Sequence, residues 1–569
     1  MMTSTASDPV SVFQEQASGN VLRPRPSRRN GGRLSPVRGV SSASIASAVE
    51  SESGNTSGHS TPIPENAPPS TKLLSSVRKQ VRNQHRRRLF PTIEYASRVS
   101  HFDPASDYRD FHGFFSLFWI GLAIMAITTI LRNIKDTGSP FRIQIWTLFT
   151  IKTWHLPLVD LVMVASTAIS MPFHSLFRNS DRIMTWNRGG MVLQSIYQAL
   201  WLLTWVAIPF LLEWTWTAQV FLLLHAMVML MKMHSWAFYN GHLSETEKRL
   251  RALDHPATAS REPAVVYEKG AAANAAAAHS VHQEGKSSSQ RTARGLSPNP
   301  DAELSELRET LALELVSPMG NVTYPANLTW ANWCDYILCP TLCYELEYPR
   351  VTTRKYTRLL SYVAATFGCI FLLTIVSEEF ILPVLVESQD RLAALASSGR
   401  VHQTAETLLI LAETISWLLF PFMLTFLLVF LVIFEYVLGF FAEFTLFGDR
   451  HFYSDWWNST DWMEFSREWN VPVHSFLRRH VYGASRPYTG RAGATVLTFL
   501  VSAFGHELIM ACISKKVRGY GFVCQMMQLP LVAIQRTEMV RGHHTINNVM
   551  FWCSMILGLS LICSLYVLL

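Results

Sequence analysis

Polar and apolar positions along this chain are sorted into long blocks. Nine stretches are almost wholly apolar: Phe111 to Leu131, Leu156 to Phe173, Met191 to Leu212, Ala218 to Met231, Leu359 to Leu385, Leu408 to Phe434, Ala492 to Ser514, Gly521 to Ile534 and Val549 to Leu569. A helix rises about 1.5 Å per residue, so crossing about 30 Å of hydrocarbon takes roughly 20 such residues. Each stretch predicts a spanning helix, the fourth and eighth being the shortest. The sixth stays apolar nearly to Phe447, which fits one long tilted helix or a helix followed by a re-entrant piece. The fold class expected is an all-α polytopic membrane protein with about nine transmembrane helices.

The same pattern divides the chain. Residues 1–100 carry no apolar periodicity and read as a disordered tail without a signal peptide. Residues 101–234 hold the first four spans. Residues 235–356 form a loop that contains a low-complexity insert, Arg261 to Ala302, and one amphipathic helix, Asp301 to Leu315. Residues 357–569 hold the remaining spans and one long polar loop, Thr445 to Arg491. No internal repeat of the kind that builds transporters is present.

Composition agrees: the chain is 49% hydrophobic and 16% charged, well below the quarter charged that is usual in soluble proteins. The net charge of +7 is unevenly placed. The first hundred residues carry 14 Lys and Arg against 6 Asp and Glu, an excess of eight, so the remainder is close to neutral. The runs "RRNGGR" and "RKQVRNQHRRR" fit a cytosolic tail beside an anionic bilayer rather than a nucleic-acid partner. A cytosolic start and nine spans put both long loops in the cytosol and the C-terminus in the lumen. "SKKVR" (Ser514 to Arg518) would then be lumenal, against the charge rule. Asn55, Asn321, Asn327 and Asn458 open glycosylation sequons that this topology leaves in the cytosol. The eight cysteines form no zinc pattern, and neither a metal nor a disulfide is expected.

Chemistry concentrates in two places. The loop "FGDRHFYSDWWNSTDWMEFSREWNVPVHSFLRRHVY" (Phe447 to Tyr482) carries four tryptophans, Trp456, Trp457, Trp462 and Trp469. It fits either an interfacial helix pair or the lining of a site open to the cytosol. The seventh span, "TVLTFLVSAFGHELIMACIS", places His506 and Glu507 near its middle. Ionisable groups at that depth face a cavity or a partner. Desolvation keeps a histidine neutral and able to take a proton, which is the state a general base needs. Ser502 shares the histidine's helix face, whereas Glu507 points about 100° away and reads as a structural partner. With no nucleophile motif present, a buried base fits direct attack by a substrate hydroxyl on an activated acyl donor. Arg478, Arg479, His480, Arg486 and Arg491 are candidates for the phosphates of such a donor, or an ordinary positive flank.

"FYSDWWN" (Phe452 to Asn458), "WNVPVH" (Trp469 to His474) and the membrane histidine in "SAFGHE" (Ser502 to Glu507), in that order, resemble the membrane-bound O-acyltransferases, and within them the sterol and diacylglycerol branch. The resemblance runs from about Asp110 to the C-terminus. "MKMHSW" (Met231 to Trp236) and "QMMQLPLVA" (Gln525 to Ala533) are similar to the fungal sterol group; "PTLCYEL" is closer to the diacylglycerol group. The family implies a helix bundle around an intramembrane reaction chamber, a homodimer or higher homo-oligomer, and residence in the endoplasmic reticulum membrane. It implies acyl-CoA as co-substrate from the cytosol, a membrane sterol from the lipid bilayer, and no cofactor. By resemblance His506 is the catalytic base and Asn470 the second essential polar residue, holding the thioester carbonyl. Trp469 and His474 shape the site. Phe452, Tyr453, Asp455, Trp456, Trp457 and Asn458 belong to the acyl-CoA region, with Asp455 and Asn458 holding its loop. Tyr482, Arg491 and Ser502 resemble positions lining the CoA tunnel, Arg491 standing where a lysine is expected. The activity implied is esterification of a sterol 3-hydroxyl, with diacylglycerol the alternative acceptor. A non-enzymatic transporter or lipid receptor using His506 as a relay is the rival from another class.

Overall fold

The computed structural model describes residues 93, 95–103, 112–141, 154–180, 183–253, 308–318, 320–397, 403–538, 540 and 542–568. Eight helices among them are long and apolar enough to cross a bilayer. They are α1 (Gly113–Thr137), α2 (His155–Asn179), α3 (Trp186–Leu211), α4 (Trp216–Ala252), α6 (Tyr356–Ser397), α7 (Thr404–Thr445), α9 (Val471–Ser514) and α12 (His544–Leu568). Shorter helices stand between them: α5 (Trp330–Leu338), α8 (Trp462–Glu468), α10 (Tyr520–Met526) and α11 (Gln528–Gln535). Among the described residues there is no strand, only three isolated bridges. This is a multi-pass helical membrane protein.

Three of the sequence boundaries move, and the sixth stretch takes the first of its two expected forms. The eighth apolar stretch is not one rod but α10 and α11, of 7 and 8 residues. The sixth is one helix, α7, with a π-helical segment at Leu431–Val437. The fourth does not stop near Met231. α4 continues to Ala252, so the loop expected from Ser235 begins as helix. The last residues of the expected tail, Tyr95 to Ser100, are packed into the fold. The rest of that tail and the insert at 261–302 lie outside the described residues. Of the helix expected over 301–315, residues 308–314 are helical.

α4 is the mast of the bundle. Half of its apolar window is buried, against 11% for α1, which faces outward along most of its length. Its polar half is buried under residues 315–348. Lys232 donates to the carbonyls of Tyr336, Cys339 and Thr341 at 2.9, 2.8 and 2.7 Å, spending all three of its protons. Asn327 donates to Asn240 and Tyr344. Trp236, Tyr239, Tyr336, Tyr344 and Tyr348 fill the space between.

α9 is broken at Gly490, whose φ of 71° and ψ of −174° lie where only glycine is comfortable. The break reverses the chain. Before it, His480 bonds Ser235 of α4 at 2.9 Å. After it, Gly505 abuts the Met227 methyl of α4. A straight rod would separate residues 480 and 505 by about 37 Å, whereas Ser235 and Met227 are about 12 Å apart along α4. The two arms of α9 therefore double back along the same mast.

Candidate active site

The doubling back decides what meets what. Val473 and Leu477 on the first arm pack with Val228 and Met231 of α4 around Leu342, Cys343 and Phe476. Gly505 on the second arm backs onto Met227. Asn470 stands one turn before Val473 on the first arm and His506 beside Gly505 on the second, so the two arms that pack on α4 carry one candidate residue each. The sequence expectation placed Thr445 to Arg491 wholly in the cytosol. In the structure the end of that loop, Val473 to Leu477, packs with Val228 and Met231 of α4.

His506 bonds through Nδ1 to the Ser502 carbonyl at 2.8 Å. A carbonyl only accepts, so Nδ1 carries the proton and Nε2 of the neutral ring keeps its lone pair. The side chain is exposed. The sequence predicts a buried base, and the described residues instead leave the ring uncovered, because residue 506 lies on the outward face of its helix. A half-open cavity of about 240 Å³ lies elsewhere, between Thr129, Asn133, Phe371 and Glu378 of α1 and α6. Ser502 accepts a bond from Gln525 at 3.3 Å, which ties α9 to α10. Glu507 turns away from His506 into the protein. It accepts from the Gly519 and Phe522 backbone at 2.7 and 3.1 Å and from the Tyr566 hydroxyl at 2.7 Å.

Asn470 caps the N-terminus of α9, its Oδ1 accepting from Val473 N at 3.1 Å. The cap uses the acceptor oxygen and leaves Nδ2, the donor, for a carbonyl or oxyanion. Trp469 lies flat on Phe426 at 4.5 Å and edge-on to Trp456 at 4.8 Å. His474 is half-buried one turn later.

The "FYSDWWN" residues divide into two groups. Phe452, Tyr453 and Trp456 are buried in the main core. Tyr453 donates to Glu435 of α7 at 2.9 Å and lies 3.0 Å from the Ser100 hydroxyl. Asp455 and Asn458 close the turn on each other, through Asn458 N to the Asp455 carbonyl at 2.9 Å and a longer side-chain contact. Trp457 presents its backbone carbonyl to Asn548 and Trp552 of α12. Glu468 lies just before the cap. Partial burial, then Glu464 and Asp455, push its carboxyl up to about 7. His451 at the loop's start is pushed down to about 4, by burial and then by Arg98.

The cationic cluster does not act as one group. Arg479 is buried, donating to Glu345 at 2.8 Å and stacking over Tyr239. His480 is buried against Ser235 and His234. Arg478, Arg486 and Arg491 remain exposed around the turn at Gly490, and Tyr482 is half-buried between them and the core. Sequence reasoning passed over Glu435, although a carboxylate within "LVFLVIFEYVLGF" is the kind of intramembrane charge that marks a partner.

Sequence comparison bears on the same residues. The profile of MBOAT, the membrane-bound O-acyltransferase family, matches residues 181–568. The chain belongs to this family. Probable sterol O-acyltransferase 2 of Schizosaccharomyces pombe is 36% identical over 459 residues, 81% of this chain and 87% of that protein. Sterol O-acyltransferase 2 of Saccharomyces cerevisiae is 31% identical over 468 residues, 80% of this chain and 66% of that one. Diacylglycerol O-acyltransferase 1 of Dictyostelium discoideum is similar over a shorter stretch, 32% over 254 residues, 44% of this chain and 39% of that one. As a membrane-bound O-acyltransferase the chain is an acyl-transfer enzyme. Among its described residues no group of His, Cys, Asp or Glu is placed to hold a metal ion.

Proposed function

We propose that this membrane-bound O-acyltransferase moves a fatty acyl group from acyl-CoA to the 3-hydroxyl of a membrane sterol, and that His506 is the base. The observation that carries the reading is the His506 Nδ1 bond to the Ser502 carbonyl, which selects the tautomer whose neutral ring has its lone pair on Nε2. The similarity to sterol O-acyltransferases over four-fifths of the chain supports the acceptor. The sterol hydroxyl gives its proton to Nε2 as its oxygen attacks the thioester carbon. Asn470 Nδ2 donates to the oxygen that becomes negative. The tetrahedral intermediate collapses, the C–S bond breaks, and Nε2 returns the proton to the CoA sulfur. The products are a sterol ester and CoA. Trp469 and His474 border the acyl carbonyl. Phe452, Tyr453, Asp455, Trp456, Trp457 and Asn458 form the wall on the acyl-CoA side, and Tyr482, Arg491 and Ser502 lie along its entry. Hydrocarbon around His506 keeps water from competing with the sterol. We place the enzyme in the endoplasmic reticulum membrane as a homo-oligomer, with its product leaving through the bilayer.

The test uses microsomes lacking their own acyltransferases, labelled oleoyl-CoA, and either a sterol or diacylglycerol. Wild type yields sterol ester, and His506→Ala at matched expression yields at least about a hundredfold less. Triacylglycerol as the main product would keep the chemistry and replace the acceptor. Undiminished transfer by His506→Ala would remove the base.

A further inference from the structure

Residues 95–103, ahead of α1, pack against the "FYSDWWN" loop and its approach. Arg98 forms a two-pronged ion pair with Asp449, at 3.0 and 2.7 Å. The backbones pair as well, Arg98 N to the Gly448 carbonyl at 3.1 Å and Arg450 N to the Arg98 carbonyl at 3.0 Å. Upstream, Tyr95 wedges its ring against Tyr348 and Phe447, and its hydroxyl reaches Thr341 at 2.7 Å. Downstream, Ser100 donates to Glu435. His101 stacks on Tyr453 at 5.4 Å and meets Trp457 edge-on, and Phe102 lies beside both. Asp103 pairs with Arg358 of α6 at 2.8 Å. One short segment thus clasps the "FYSDWWN" loop at its entry, Gly448 to Arg450, and at its tip, Tyr453 and Trp457.

We propose that Tyr95 to Asp103 is a positioning strap for the acyl-CoA side of the site, and that Arg98 acts as a positioning residue through Asp449. Arg98 itself touches no reacting atom. Asp449 is 5% exposed and Arg98 45% exposed, so the pair fixes a buried loop residue from the surface. Asp449 also accepts from the Ala96 and His451 backbone, so its carboxylate organises both chains at once. A fork of two parallel bonds sets direction as well as distance, which a single charge does not. A loop held in its binding shape loses less freedom when the acyl-CoA binds, and that difference appears as affinity for this ligand alone. The sterol, arriving from the bilayer, does not draw on it.

The inference rests on the acyl-CoA reading above, and the experiment separates the two. The full-length protein, purified in detergent, is given a non-hydrolysable thioether analogue of oleoyl-CoA, and binding is measured directly. Failure of wild type to bind the analogue overturns the acyl-CoA reading, and the strap proposal with it. With wild-type binding established, Arg98→Ala is expected to weaken it by about fivefold, the equivalent of about 1 kcal/mol. Arg98→Lys, which keeps the charge but not the fork, falls between. Arg391→Ala, which breaks an exposed pair with Glu413 in α6 and α7, leaves binding unchanged. In turnover, the KM for acyl-CoA rises with Arg98→Ala while the KM for sterol stays level. Equal affinity of wild type and Arg98→Ala would overturn the strap, as would a parallel rise in both KM values.

Discussion

At the scale of single residues, the site separates groups that react from groups that hold. His506 and Glu507 are neighbours in sequence with opposite roles, because a helix turns successive side chains about 100° apart. His506→Ala is expected to lower acyl transfer by at least about a hundredfold while leaving analogue binding intact, since it removes a general base. Assaying turnover and binding on one preparation checks this. Glu507→Ala is expected to lower stability by about 2–4 kcal/mol, because three donors lose a buried charged acceptor; thermal unfolding in detergent reads it. Glu468 carries a pH signature. Its carboxyl is raised from 4.5 to about 7, so the folded state binds its proton more tightly than the unfolded one. Its share of stability is complete below about pH 4.5 and is lost as pH rises to 7. His451, lowered to about 4, has the opposite slope between 4 and 6.5. Glu468→Gln should raise the unfolding temperature at pH 8 and change it little at pH 5. The gain is on the order of 1 kcal/mol, because water screens a half-exposed group. No gain at pH 8 would contradict the assignment.

Among elements, α9 matters most, and its reversal at Gly490 was not legible in the sequence. A glycine before an apolar run has many explanations, and φ is not written in residue type. A Cβ at Gly490 would meet open space, so Gly490→Ala tests the backbone alone. The substitution is expected to cost about 1–3 kcal/mol of strain and to lower transfer further than that loss of stability explains. The excess would come from the two arms that carry Asn470 and His506 shifting relative to each other. Comparing turnover per folded molecule with the unfolding temperature separates the two effects. Other features could be read ahead. The spans follow from block length alone, and the inward turn of Glu507 follows from helix geometry. The burial of Arg479 and His480 could not be read, because their partners Glu345 and Ser235 lie 134 and 245 residues away. The strap was hidden for a related reason. "YASRVSHFD" has neither apolar period nor motif, and it is ordered only by what it touches.

Among the described residues, the helical unit has a loosely clad face and a dense end. α1 leaves Phe114, Leu117, Ile120, Ile124, Ile127 and Leu131 exposed at helical spacing, as a lipid-facing helix should. The other end gathers α4's polar half, residues 315–348 and the strap into one packed unit. Asn321 and Asn327 fall in this unit, Asn458 lies on the exposed turn of the "FYSDWWN" loop, and Asn55 lies outside the described residues. Asn327 is 2% exposed and bonded to Asn240 and Tyr344, so no glycan fits there. Endoglycosidase treatment of the protein from cells is expected to leave its electrophoretic mobility unchanged. A shift would place the packed end in the lumen and reverse the topology.

Lys232 gives this packed end an order of construction. Its ammonium sits where the apolar run of α4 stops, and the three carbonyls that hold it come 104 to 109 residues later. A ribosome delivers α4 to the translocon well before it delivers Tyr336, Cys339 and Thr341. During that interval the charge has only water and headgroups for company, so the fourth helix cannot settle to its final depth. Biogenesis is therefore paced by the arrival of a loop. A chain that stalls before Thr341 would present quality control with a span that has entered the membrane but not yet been fastened.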